Sequence, residues 1–69
     1  MTLDCRGQRC PLPIIALARE LPSVPVGSVL RLLADDPAAA YDVPAWCRMR
    51  GQEFVGSPAD GVYEVRRVG

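Results

Sequence analysis

Two closely spaced prolines, Pro11 and Pro13, constrain this chain more than any other feature. Proline has no N–H and a fixed φ, so a helix tolerates it only in the first turn. The apolar run Ile14-Ile15-Ala16-Leu17-Ala18 behind them favours a helix, and the proline pair marks its start. Cys10 stands immediately before the pair and falls at or beside the N-cap. Unpaired N–H groups and the helix dipole favour negative charge there and lower a thiol's pKa. The position predicts a thiol ready to ionise.

The remaining breakers divide the chain into short elements. Residues 2–6 alternate, with Leu3 and Cys5 on one face, and predict a strand with one buried side. Gly7 ends it. The first helix spans residues 11–21, with Ile14, Leu17, Ala18 and Leu21 on its apolar face and Ile15 widening the stripe. Pro22 closes it, and Pro25 and Gly27 follow in a rigid connector. Residues 28–34 are apolar except for Arg31 and predict an inner strand. Asp36-Pro37 is a good cap and first-turn pair. Asp42 can cap again, so Pro44 predicts a restart or kink there, with the second helix reaching about Arg50. Val43, Trp46, Cys47 and Arg50 share one side of it. Strands over 52–56 and 62–68 flank the turn Ser57-Pro58-Ala59-Asp60-Gly61 and pair as a hairpin. The order βαβαββ predicts an α+β fold. Its natural form is a two-layer α/β sandwich, a four-stranded mixed sheet with both helices on one face. The 69 residues form a single domain, 1–69.

A domain this short buries only about 60% of the surface its unfolded chain exposes. No large internal pocket fits, so chemistry sits at the surface or is completed by a partner. Basic and acidic residues balance at 8 each, and all the basic ones are arginine. That balance argues against direct nucleic-acid binding, although Arg48 and Arg50 could steer an acidic partner. The N-terminal residues do not read as a secretory signal, and no apolar stretch approaches the roughly 18 residues of a membrane span. A reducing cytoplasm with free thiols is the expected setting. Three cysteines, an odd number, do not suggest a disulfide framework. A zinc site would lack a fourth Cys or His ligand, because the chain has no histidine. Neither a metal nor a cofactor is expected.

The missing histidine also limits what Cys10 can do. A cysteine hydrolase needs a base to activate the thiol and move protons. Dithiol redox chemistry with Cys5 is an alternative, although Cys5 reads more simply as a small buried hydrophobe. Trp46 and Cys47 read as core. Covalent carriage demands least: an exposed, activated nucleophile and a docking surface. A persulfide on Cys10 would gain from the helix N-terminus and from the positive charge of Arg9. Arg6 is a second candidate for electrostatics or docking.

The run Leu3-Asp4-Cys5-Arg6-Gly7-Gln8-Arg9-Cys10-Pro11-Leu12-Pro13 resembles the signature of the TusA/SirA-like sulfur-carrier family. The resemblance continues through Gly27-Ser28-Val29-Leu30, Asp35-Asp36-Pro37-Ala38, Asp42-Val43-Pro44-Ala45-Trp46-Cys47 and Gly51-Gln52-Glu53-Phe54. It implies the same two-layer sandwich and makes Cys10 the sulfur-accepting residue. It implies a donor protein, either a cysteine desulfurase or a rhodanese-like protein, and an acceptor sulfurtransferase. The destinations it implies are tRNA thiolation, molybdenum-cofactor biosynthesis or sulfur oxidation. Such a carrier is not a self-contained turnover enzyme. Gln8 stands where the family often has leucine, and Gln52 where a Gly-His-Glu sequence is common. A non-catalytic regulatory or protein-interaction domain is the main rival, and a Cys5/Cys10 redox switch the weaker one.

Overall fold

The computed structural model describes residues 1–69. Its elements are β1 (Thr2–Asp4), α1 (Leu12–Glu20), a 3-10 turn (Leu21–Ser23), β2 (Val29–Leu33), α2 (Ala39–Arg50), β3 (Glu53–Ala59) and β4 (Val62–Arg66). The four strands form one sheet in the order β1-β2-β4-β3. β1 and β2 are parallel, so the chain must cross over between them, and α1 makes that crossover. The β2–β4 and β3–β4 pairs are antiparallel. The fold is therefore α+β with a four-stranded mixed sheet, as the element order predicts.

Alternation along the strands fixes which face is covered. Leu30 and Leu32 of β2 and Tyr63 and Val65 of β4 are buried with Leu17 and Leu21 and with Ala39, Val43, Trp46 and Cys47 of α2. Cys5, Ala16, Val24 and Ala34 complete the same core. The other face carries charge: Arg31 pairs with Glu64 at 3.1 Å and Arg66 with Glu53 at 3.0 Å. β2 is thus less enclosed than its apolar run suggests. Val29 and Leu33 are only half-buried, because no helix covers their side of the sheet.

The helices depart from expectation at their ends. α1 begins at Leu12, and its last turn tightens into the 3-10 segment that contains Pro22. Ile15 does not widen the buried stripe; it is 52% exposed, while Pro13 and Ala16 turn inward instead. α2 begins at Ala39 rather than at Asp42. The Asp36 carboxylate accepts the Ala38 N–H at 3.0 Å and its carbonyl accepts the Ala39 N–H at 3.0 Å, which starts the helix early. Pro44 lies inside one continuous helix, just past the first turn. Gly51 closes α2 in the left-handed conformation, with φ at 71°. β3 runs through Pro58 to Ala59, with two register irregularities against β4. Proline is tolerated there because β3 is an edge strand. The turn shrinks to the Asp60-Gly61 pair typical of two-residue hairpins.

Candidate functional site

The loop carrying Cys10 is held by the segment that leaves β2. The Cys5 N–H donates to the Leu33 carbonyl at 2.7 Å, so the backbone follows the parallel ladder one residue past β1. Both Asp35 carboxylate oxygens then accept the Gly7 N–H, at 3.0 and 3.1 Å. Asp36 accepts the Cys10 N–H at 2.7 Å on one oxygen and the Ala38 N–H on the other. One carboxylate therefore ties the approach to α1 to the approach to α2. The backbone donors of Cys10 and Ala38, followed by the charge of Arg9, hold Asp36 below the usual carboxylate range.

Cys10 is exposed, whereas Cys5 and Cys47 are each 1% exposed. Its Sγ–H donates to Asp42 Oδ2 at 3.0 Å. Asp42 sits in the first turn of α2, so the two helix starts meet at this hydrogen bond. The bond reverses the expected direction of the pKa. Its donation to Asp42, then partial desolvation and the charges of Asp42 and Asp36, push the Cys10 thiol up. The helix N-terminus supplies little to oppose this. Pro11 is its N-cap and Pro13 lies in its first turn, and neither has an N–H. The Leu12 N–H donates to the Arg9 carbonyl at 2.8 Å. The prolines that mark the helix start also remove two of its donors, leaving the Ile14 N–H as the one first-turn donor without a partner.

The other proposed residues separate. Arg6 is engaged with Asp4, through Nε at 3.0 Å and a terminal nitrogen at 2.8 Å, and that contact holds the Asp4 carboxyl down to about 2. Arg9 is exposed and forms no ion pair. Burial pushes the Cys47 thiol up to about 11 and raises Cys5 as well. Cys5 lies in the core and Cys10 at the surface, both as free thiols. Arg50, the last residue of α2, is exposed, whereas Val43, Trp46 and Cys47 face inward.

Beside the thiol runs a shallow open groove between α1 and α2, lined by Cys10, Pro11, Ile14, Asp42, Ala45 and Met49, with Trp46 at its floor. Met49 is 79% exposed. A separate depression lined by Leu21, Trp46, Arg50 and Arg67 does not reach the thiol. Sequence reasoning places Asp36 and Asp42 only as helix caps. The residue type was the available signal, but spacing along the chain cannot show which thiol a carboxylate meets.

The model of the TusA sulfurtransferase family matches residues 1–66. The chain belongs to the TusA family. Among solved structures it is similar to a SirA-like protein from Desulfitobacterium hafniense, at 28% identity and a TM-score of 0.67. That match covers 93% of this chain and 89% of the other. For a TusA-family protein the general role is that of a sulfur carrier working with other sulfur-transfer proteins. No helix is long and apolar enough to cross a membrane.

Proposed function

We propose that this TusA-family chain carries sulfur as a persulfide on Cys10, received from a donor protein and relayed to an acceptor sulfurtransferase. The observation that carries the reading is that Cys10 alone of the three thiols is exposed, at the end of an open groove. Cys10 attacks the terminal sulfur of a donor persulfide. The Sγ–S bond forms, the donor's S–S bond breaks, and its electron pair leaves on the donor sulfur, which takes up the Cys10 proton. No outside oxidant or reductant is needed. Delivery repeats the exchange with an acceptor thiol.

A cysteine desulfurase or a rhodanese-like protein is the donor, in a cytoplasmic setting. tRNA thiolation, molybdenum-cofactor biosynthesis and sulfur oxidation are the candidate destinations. Pro11 and Pro13 set the loop that presents the thiol. Arg9, with its free charge, is the better placed of the two arginines to meet a donor; Arg6 contributes through its pair with Asp4.

The test is intact-mass spectrometry after incubation with a cysteine desulfurase and free cysteine. The wild type is expected to gain one sulfur atom and Cys10→Ser none, with Arg9→Glu loading more slowly. Cys10→Ser should keep the fold, since the Cys10 N–H bond to Asp36 is a backbone contact and a serine hydroxyl can still donate to Asp42. A wild type that stays unmodified with several persulfide donors overturns the reading.

A further inference from the structure

We propose that Asp42 is a positioning residue that restrains Cys10, fixing its Sγ–H in a hydrogen bond and holding the free carrier in the neutral thiol form. The functional meaning of that restraint rests on the carrier reading above; the contact itself does not. A thiol at the surface of a small fold is open to any electrophile, because the thiolate is the reactive species. Here the sulfur is not left to solvent alone. Its hydrogen points at a carboxylate oxygen 3.0 Å away, on the first turn of the neighbouring helix.

The charged groups around the sulfur agree. Asp42 reaches it from α2, and Asp36 approaches from the loop between β2 and α2. The first turn of α1 contributes no acidic side chain, and Arg9, on the thiol's own loop, acts on Asp36. Both carboxylates oppose a negative sulfur, consistent with the raised thiol pKa.

The restraint also bears on sulfur exchange. In the loading step Cys10–SH and a donor persulfide anion, R–S–S⁻, become Cys10–S–S⁻ and R–SH. The proton held against Asp42 leaves with the donor sulfur. The loaded terminal sulfur then has no hydrogen to donate, and the carboxylate faces an anion. Asp42 therefore suppresses stray reaction of the empty carrier and disfavours retention of its anionic cargo.

The experiment is the rate of iodoacetamide alkylation of Cys10 against pH, read by mass spectrometry, for the wild type, Asp42→Asn and Asp60→Asn. Asp42→Asn is nearly isosteric and removes the charge. Asp60→Asn removes an equal charge at the hairpin tip, where Asn-Gly is a favoured turn. Asp42→Asn is expected to react about threefold faster at neutral pH, the scale of an exposed charge contact, with its profile moved to lower pH. Asp60→Asn should follow the wild type. Asp42→Asn following the wild type, or Asp60→Asn matching Asp42→Asn, overturns the inference. Protection of Cys5 and Cys47 in the same spectra shows that each variant is folded. The wild type gives an independent check: the midpoint of its Cys10 alkylation profile should lie at a higher pH than that of N-acetylcysteine amide, and a lower midpoint also overturns the inference. Sulfur loading of the wild type, measured in parallel, tests the carrier reading separately. A wild type that never loads removes that reading, while the alkylation profiles still decide the role of Asp42.

Discussion

At the residue scale, the three cysteines show how one side-chain type takes three fates. Cys5 continues β1 into the core and Cys47 packs under α2, so both behave as small hydrophobes. Cys10 alone reaches solvent, and Asp42 sets its hydrogen bond. Brief iodoacetamide treatment of the native protein is therefore expected to modify Cys10 only, and treatment after unfolding to modify all three. Peptide mapping reads the positions. Native labelling of Cys47 at a rate comparable to Cys10 would contradict its burial and its thiol near 11. Cys10 was legible in the sequence because proline punctuation is local. Its ionisation was not, because the same prolines remove two of the helix end's donors and the decisive carboxylate comes from another helix.

At the scale of elements, glycines at two chain reversals make different demands. Gly51 ends α2 at φ 71°, and a Cβ there would meet nothing within 4 Å. Gly61 closes the β3–β4 hairpin at φ 73°, and a Cβ there would lie 2.9 Å from the Ala34 carbonyl oxygen. The Ala34 N–H also donates to the Gly61 carbonyl at 2.9 Å, so that backbone has little freedom to retreat. Gly51→Ala is expected to cost about 1 kcal/mol, the penalty of the left-handed conformation alone. Gly61→Ala should cost about 2 kcal/mol or more, since the contact adds to that penalty. Urea denaturation of the two variants checks the ranking, and equal losses would show that the Ala34 contact yields freely. The hairpin was legible from Asp60-Gly61 and the alternation of β4. The start of α2 was not, because Asp36 could cap a helix only if the following alanines continued into it. Pro44 argued for a restart or kink near Asp42, and the helix does not restart there.

At the scale of the whole molecule, 69 residues imply a stability on the order of 3–10 kcal/mol. One buried cluster supplies it, drawing side chains from both helices and the inner face of the sheet. Leu17 is fully buried within that cluster. Leu17→Ala is expected to cost about 3 kcal/mol through lost burial and the cavity left behind, a large share of the total. Thermal and urea melts should show a clear loss for Leu17→Ala and almost none for Cys10→Ser. A Leu17→Ala variant as stable as the wild type would mean that the core repacks around the gap.

The sequence by itself determined the order of elements, the one-sided alternation of β4, the hairpin tip and the placement of Cys10 before a helix. These depend on neighbours a few residues apart: a missing N–H, a permitted φ, a period of two. Tertiary structure decided what those signals cannot reach. It set β4 between β2 and β3, left the outer face of β2 to solvent, and brought Asp42 across 32 residues of chain to the Cys10 sulfur. A thiol's charge state depends on every group around it in space. For Cys10, those groups meet only when α1 and α2 pack together on the sheet.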